Sequence, residues 1–230
     1  AASGFSWPQC AGGGVRTVRQ TMRDFFVGLL VYPFMLLVGL LEALLGFLLV
    51  LAPLCVHLAT KGAPRSYDGW FSVFSSVPCG RRAFSSLIGV IAPYTASIGA
   101  TLQEVSASSV TASMPDRPWL RNPFSSVHAI ALANLGELTT GIAVLSALQG
   151  LKSVRGIPVA VNTSYEKKAR GTVTCTCSMA SVLEALRDVQ EPCRKPIEGV
   201  LTNAKGERVA VCSVVWAFSL KQKGENAAAT

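Results

Sequence analysis

Hydrophobic positions along the chain fall into three patterns. The first is a helix-period block from Asn122 to Leu148, NPFSSVHAIALANLGELTTGIAVLSAL. Ala131, Leu135, Leu138, Ile142 and Leu145 recur every three to four residues, the period of one helix face. Ile130, Leu132, Ala133 and Val144 fill much of the remaining circumference. A helix apolar nearly all round is either a membrane span or the buried core of a larger body. From Val127 onward the block holds no Lys, Arg or Pro, and His128, Asn134 and Glu137 sit among small residues. This predicts a helix buried in protein, capped by Asn122 or by Ser125/Ser126 and ended by Gly150.

The second pattern is alternation. Thr101 to Met114 alternates through Leu102, Val105, Val110, Ala112 and Met114 and reads as one strand. Pro115, Pro118 and Pro123 then prevent regular structure up to the helix. After the helix come Val159 to Tyr165, Thr172 to Met179, Ile197 to Thr202 and Arg208 to Leu220 as strands, with Ser181 to Val189 as a short helical excursion. Asn203-Ala204-Lys205-Gly206 is a hairpin signal between the last two strands. Upstream, Ala83 to Ile98, broken by Pro93, fits a short helix and then an extended segment. One long helix against a mostly antiparallel sheet is an α+β layer architecture.

The third pattern is an unbroken apolar run, Phe25 to Ala59, whose one charge is Glu42. A bilayer core needs about 20 apolar residues in a helix. Pro33 and Pro53 bracket Phe34 to Ala52, the predicted transmembrane helix. The competing reading is a buried hairpin of two short helices. A cleavable signal is excluded because the run is too long and too far inside the chain. Glu42 at mid-span should face protein or be protonated. Cations are similarly abundant before the run (Arg16, Arg19, Arg23) and after it (Lys61, Arg65, Arg81, Arg82), so charge does not fix its orientation. The domain plan is therefore a basic extension over 1–24, a transmembrane segment over 25–60, a linker over 61–82, an α+β domain over 83–221 and a tail over 222–230. In the linker, Tyr67, Trp70 and Phe71 suit a membrane interface.

Composition agrees with this plan. Hydrophobic residues make up 50% of the chain and charged ones 15%, too apolar for an ordinary soluble domain unless the excess is localised. Net charge is +8. The cations, Lys167, Lys168 and Arg170 among them, are not interleaved with aromatics as a nucleic-acid platform would be, so nucleic acid is not an expected partner. A basic surface facing membrane lipid or a protein partner is the expected reading. The seven cysteines are odd in number and lack a Cys-x-x-Cys, which points to reduced structural thiols and no metal site. The N-terminal 24 residues are small, Arg-containing and poor in acid, resembling the new N-terminus left when an organellar transit peptide is cleaved.

The motif RNPFSSVHAIALANLGELTTG, with IAPYTASI upstream, resembles the hotdog fold, in which a curved antiparallel sheet wraps one long helix. The resemblance covers about Ala83 to Lys221 and is to the thioesterase-like subgroup. Asn122, His128 six residues on and Glu137 nine further match the spacing of the catalytic Asn, His and acid of hotdog acyl-CoA thioesterases. The resemblance implies Glu137 as general base or nucleophile, His128 positioning the thioester carbonyl, Asn122 orienting water or carbonyl, and the Ala129 N–H as oxyanion donor. It also implies a dimer, since His128 and Glu137 are half a turn out of phase on one helix and the acid of one subunit faces the His of another. No cofactor is implied; a CoA thioester would be substrate. One departure stands out: thioesterases place Gly after this His, whereas Ala129 and Ile130 occupy these positions here. The bland alternatives are a helix-start His128 bonded to a backbone carbonyl, a lone buried Glu137 held by Asn134 or a Ser hydroxyl, and Asn122 as a simple cap. Two functions remain open: a membrane-anchored hydrolase or binder of acyl thioesters, or a non-catalytic accessory subunit of a mitochondrial inner-membrane complex, respiratory or ATP synthase, with other membrane subunits as partners.

Overall fold

The computed structural model describes residues 62–221, apart from 152 and 188, together with Leu37, Leu41, His57 and Thr60. The predicted span over 34–52 lies outside the described residues except for Leu37 and Leu41, which are helical and exposed. The basic extension over 1–24 and the tail over 222–230 lie outside them too.

The described chain begins with three helices. Ser66 caps α1 (Tyr67–Ser75), its Oγ accepting from the Gly69 N–H at 3.3 Å. A short turn leads to α2 (Gly80–Ile91), and Pro93 opens the single turn of α3 (Pro93–Ala96). Phe71 and Phe74 of α1 meet Phe84 of α2 at ring-centroid distances of 5.5 and 5.6 Å. All three rings are buried. The stretch read as linker-like is therefore helical over Tyr67–Ser75, and Phe71 belongs to the core with Tyr67 and Trp70 packed against it. The segment expected to be extended after Pro93 is the helical turn α3 instead.

The predicted strand over Thr101 to Met114 is two strands, β1 (Thr101–Val105) and β2 (Ser109–Met114), paired antiparallel. Ser106 makes the turn: its Oγ accepts from the N–H groups of Ser108 and Ser109, both at 3.2 Å, and its own N–H donates to Ser109 O at 3.0 Å. A serine hydroxyl that takes over local backbone bonds ends a strand as Gly or Pro would. The alternation runs on through the turn, which hides the break.

The central helix α4 (Ala129–Gly150) comes next, then β3 (Val154–Tyr165), β4 (Val173–Ser178), α5 (Met179–Leu186), β5 (Cys193–Asn203) and β6 (Arg208–Leu220). The six strands form one antiparallel sheet in the order β1-β2-β4-β5-β6-β3. Asn203 to Gly206 makes the β5–β6 turn, with Gly206 at φ +78° and Asn203 Oδ1 accepting from the Lys205 and Glu207 N–H groups. Pro158 falls on the outer strand β3, beside a register shift, where a missing N–H does least harm.

The central helix lies across β2 to β6. It is long and apolar enough to cross a bilayer, yet more than half of its most apolar window is buried inside the protein, as expected of a core helix. Its buried threonines satisfy themselves: Thr139 Oγ1 donates to Leu135 O at 2.7 Å and Thr140 Oγ1 to Gly136 O at 2.9 Å. Contact with the sheet is close at Gly136. A Cβ there would stand 2.2 Å from the Cys212 Cβ, so only glycine lets helix and β6 approach this far. Val173, Cys175 and Cys177 of β4 all point into the same core. Burial pushes the Cys175 and Cys177 thiols up to about 12, which keeps them un-ionised. This antiparallel sheet around one long helix is the arrangement expected of a hotdog fold.

Candidate functional site

The loop before the central helix is a closed unit. Arg121 and Val127 form a bridge, and Asn122 N–H donates to Ser126 O at 2.8 Å. Inside this turn the Asn122 carboxamide is the hub. Its Oδ1 accepts from Phe124 N–H at 3.0 Å and Ser126 N–H at 3.2 Å, and its Nδ2 donates to Ser126 Oγ at 3.0 Å. Asn122 thus holds the loop that delivers His128, and it caps no helix.

His128 caps the helix instead of Asn122 or Ser125/Ser126. Its Nδ1 accepts from the Ile130 N–H at 3.2 Å. In the neutral ring that bond puts the proton on Nε2, directed away from the helix as a donor. His128 is exposed, and its backbone N–H donates to Leu120 O at 2.7 Å. Its partner is a backbone amide, not the carbonyl expected of a helix-start His. The amides of Ala131 and Leu132 both donate to His128 O, at 3.0 and 3.2 Å. With the Ile130 N–H taken by His128, the Ala129 N–H is the helix-start amide without a hydrogen-bond partner among the described residues. Tyr165 Oη fixes the same turn by donating to Ala129 O at 3.0 Å. The Ile130 side chain is 55% exposed beside it.

Glu137 lies two and a half turns further, about 13 Å along the axis and on the opposite side. One protomer therefore does not bring His128 and Glu137 together. The Glu137 side chain is half-buried, and desolvation raises its carboxyl above the ordinary range. Neither Asn134 nor a serine hydrogen-bonds it among the described residues. Its charge reaches the Cys212 thiol, which burial first and this carboxylate second push up. Among the described residues no group of His, Cys, Asp or Glu is arranged to hold a metal.

Sequence reading did not anticipate a second feature of the site. The loop between β3 and β4 is stitched to the pre-helix loop. Val127 N–H donates to Ala169 O at 2.9 Å, and Asp116 bridges the two loops by accepting from Arg121 Nε at 2.7 Å and from Gly171 N–H at 2.9 Å. Burial pushes the Asp116 carboxyl up, but these bonds outweigh it and hold it below the ordinary range. The stitching brings Lys168 over the ring of Phe124, Nζ at 5.8 Å from the centroid.

The fold and its neighbours define a class by architecture, the hotdog fold. One similar solved structure is a structural-genomics protein, APC5556, 25% identical, covering 67% of this chain and 98% of its own, with a TM-score of 0.56. Another is PA5026 from Pseudomonas aeruginosa, a protein of unknown function described as a probable thioesterase, 19% identical, covering 59% of this chain and 92% of its own at a TM-score of 0.52. Curated proteins give no match. The chain itself belongs to the DUF4442 family, a domain of unknown function, whose model matches residues 80–218.

Proposed function

We propose that this protein hydrolyses acyl thioesters of coenzyme A, working as a dimer. The observation that carries the reading is Glu137. It is a half-buried acid without a hydrogen-bonding partner among the described residues, set on an otherwise apolar core helix nine residues after a helix-capping histidine. An unpartnered acid in such a place is costly as structure and useful as a base. Glu137 takes a proton from water, whose oxygen attacks the thioester carbonyl carbon. The Ala129 N–H and the Nε2–H of His128 from the other copy receive the developing oxyanion. The tetrahedral intermediate then collapses, the C–S bond breaks, and the departing CoA sulfur takes up the proton from Glu137. Asn122 acts through its loop, as a positioning residue. The outer strand β3 supports the dimer: it is long, unpaired on one side among the described residues and exposes Ile157, Val159 and Val161. The description of PA5026 as a probable thioesterase supports the same reaction class by analogy. The apolar run over 25–59 would hold the domain at a membrane, and the basic, acid-poor N-terminus suits the mitochondrial inner membrane.

A second reading is favoured by two observations. Ile130 is exposed where thioesterases carry Gly, and α2 with α3 presents Val90, Ile91 and Tyr94 at 76, 79 and 73% exposure. Both suit a non-catalytic subunit seated among partners of a membrane complex. The test uses purified full-length protein and acyl-CoAs of graded chain length, with CoA release read by chromatography. Turnover that falls about 10²–10⁴-fold in Glu137→Gln is the expected result. A dimeric wild type without turnover at any chain length would establish the second reading instead.

A further inference from the structure

The two loops stitched at the start of the central helix carry cations that the fold does not use. Lys167 pairs with Glu207 at 3.4 Å, Arg208 with Glu166 at 2.9 Å and Arg121 with Asp116 at 2.7 Å. Lys168 and Arg170, in the same short loop, are exposed and have no carboxylate partner among the described residues. Phe124 stands beside Lys168, itself two residues along the loop from Arg170, with 70% of the Phe124 surface exposed. An aromatic ring left in water by a rigid turn is a cost without a structural return, because the turn is already held by Asn122 and Ser126. Lys168 Nζ stands over one face of that ring, and most of the Phe124 surface still meets water. Val127 and Ala169 bond one residue before His128 and one after Lys168, so the cluster is fixed next to the proposed reaction centre.

We infer that Phe124, Lys168 and Arg170 form a nucleotide-recognition platform. The exposed ring of Phe124 stacks an adenine ring, and Lys168 and Arg170 hold its phosphates. An aromatic face stacks any base, and exposed unpaired cations favour a dense anion such as a phosphate group. One aromatic and two cations make a site for a single nucleotide, not a track for a nucleic acid chain. This inference rests on the acyl-CoA reading and deepens it: it assigns the side chains that hold the nucleotide end of coenzyme A, a part that the phosphopantetheine of a carrier protein lacks.

The test uses the full-length protein and two probes. Binding of adenosine 3′,5′-bisphosphate is measured by calorimetry, and kcat/KM is compared for an acyl-CoA and the same acyl group on N-acetylcysteamine, which lacks the nucleotide. The platform predicts that Lys168→Glu/Arg170→Glu and Phe124→Ala each weaken the bisphosphate about tenfold or more, with charge-assisted bonds and base stacking setting that scale. The same variants lower the ratio of kcat/KM for acyl-CoA to that for the short thioester by a similar factor, and added salt erodes it in wild type. If wild type turns over neither thioester but binds the bisphosphate, and the variants lose it, the platform stands and the hydrolase reading fails. If both thioesters are turned over with an unchanged ratio in the variants, or if acyl carrier protein is turned over in preference to CoA, the platform is wrong while the hydrolase stands. A wild type that neither binds nor turns over overturns both. All three side chains are exposed, and a melting curve matching wild type confirms that the variants fold.

Discussion

The two edges of the sheet are treated in opposite ways. At one edge, β1 has five residues, carries a register shift after Leu102 and is packed by α1 and α2. At the other, β3 has twelve residues, and Ile157, its most exposed large hydrophobic residue, is 62% exposed. Proteins guard edges by shortening, bulging or covering them, and β1 shows all three devices. Apart from the bulge and proline at Pro158, β3 shows none, and it exposes Ile157, Val159 and Val161. The difference teaches that the chain closes one edge itself and leaves the other uncovered among the described residues, and this is the edge that the proposed dimer uses. It also matches the helix, where His128 and Glu137 face opposite sides and need a partner to meet.

This contrast can be broken at either edge. The largest effect is expected at β3. Ile157→Asp/Val161→Asp should halve the mass seen by light scattering and cut acyl-CoA turnover about 10³-fold, since on the proposed mechanism a monomer separates the base Glu137 from the oxyanion donors. Unchanged mass would put the dimer elsewhere. At β1 the opposite is expected. Phe84→Ala removes a ring from the cluster with Phe71 and Phe74 and should cost about 3–5 kcal/mol of stability in denaturant titration. The mass should stay that of the dimer, because the proposed contact lies at the opposite edge. A smaller effect belongs to Glu137→Gln. The folded protein binds the Glu137 proton more tightly than the unfolded chain does, so wild-type stability falls as pH rises through the raised carboxyl value. Gln removes that slope, and at neutral pH the variant should melt slightly above wild type. Identical pH–melting profiles would mean that Glu137 is not desolvated in the dimer.

Much of this arrangement was legible in the sequence, for reasons that differ by element. The central helix announces itself because an apolar block with helical period and terminal Gly150 has few other folds. β6 was legible end to end because alternation codes both of its faces from the Asn203–Gly206 turn to Leu220. The break between β1 and β2 was not, because Ser106 turns the chain through its hydroxyl and leaves the alternation intact. Helix α1 was hidden by the Gly, Pro and Ser around it, although Phe71 and Phe74 sit at helical spacing. At the site, spacing picked out Asn122, His128 and Glu137, but not their hydrogen bonds. That Asn122 serves its own loop, and that His128 takes the Ile130 amide, come from turn geometry no pattern encodes. Phe124 and Lys168 lie 44 residues apart along the chain and meet because the Val127–Ala169 bond and the Asp116 bridge tie their loops together. The cations are uninterleaved with aromatics along the chain, yet in space Lys168 stands over an aromatic ring.

The central claim is that each active site takes His128 from one copy and Glu137 from the other. Mixing two inactive variants tests it most directly. His128→Ala and Glu137→Gln are unfolded together, refolded as a mixture, and assayed for acyl-CoA hydrolysis. Random pairing makes half of the dimers mixed, and each mixed dimer has one of its two sites intact, so activity should return to about a quarter of wild type. A mixture as inactive as its two components, with mixed dimers confirmed by mass, would contradict the shared site.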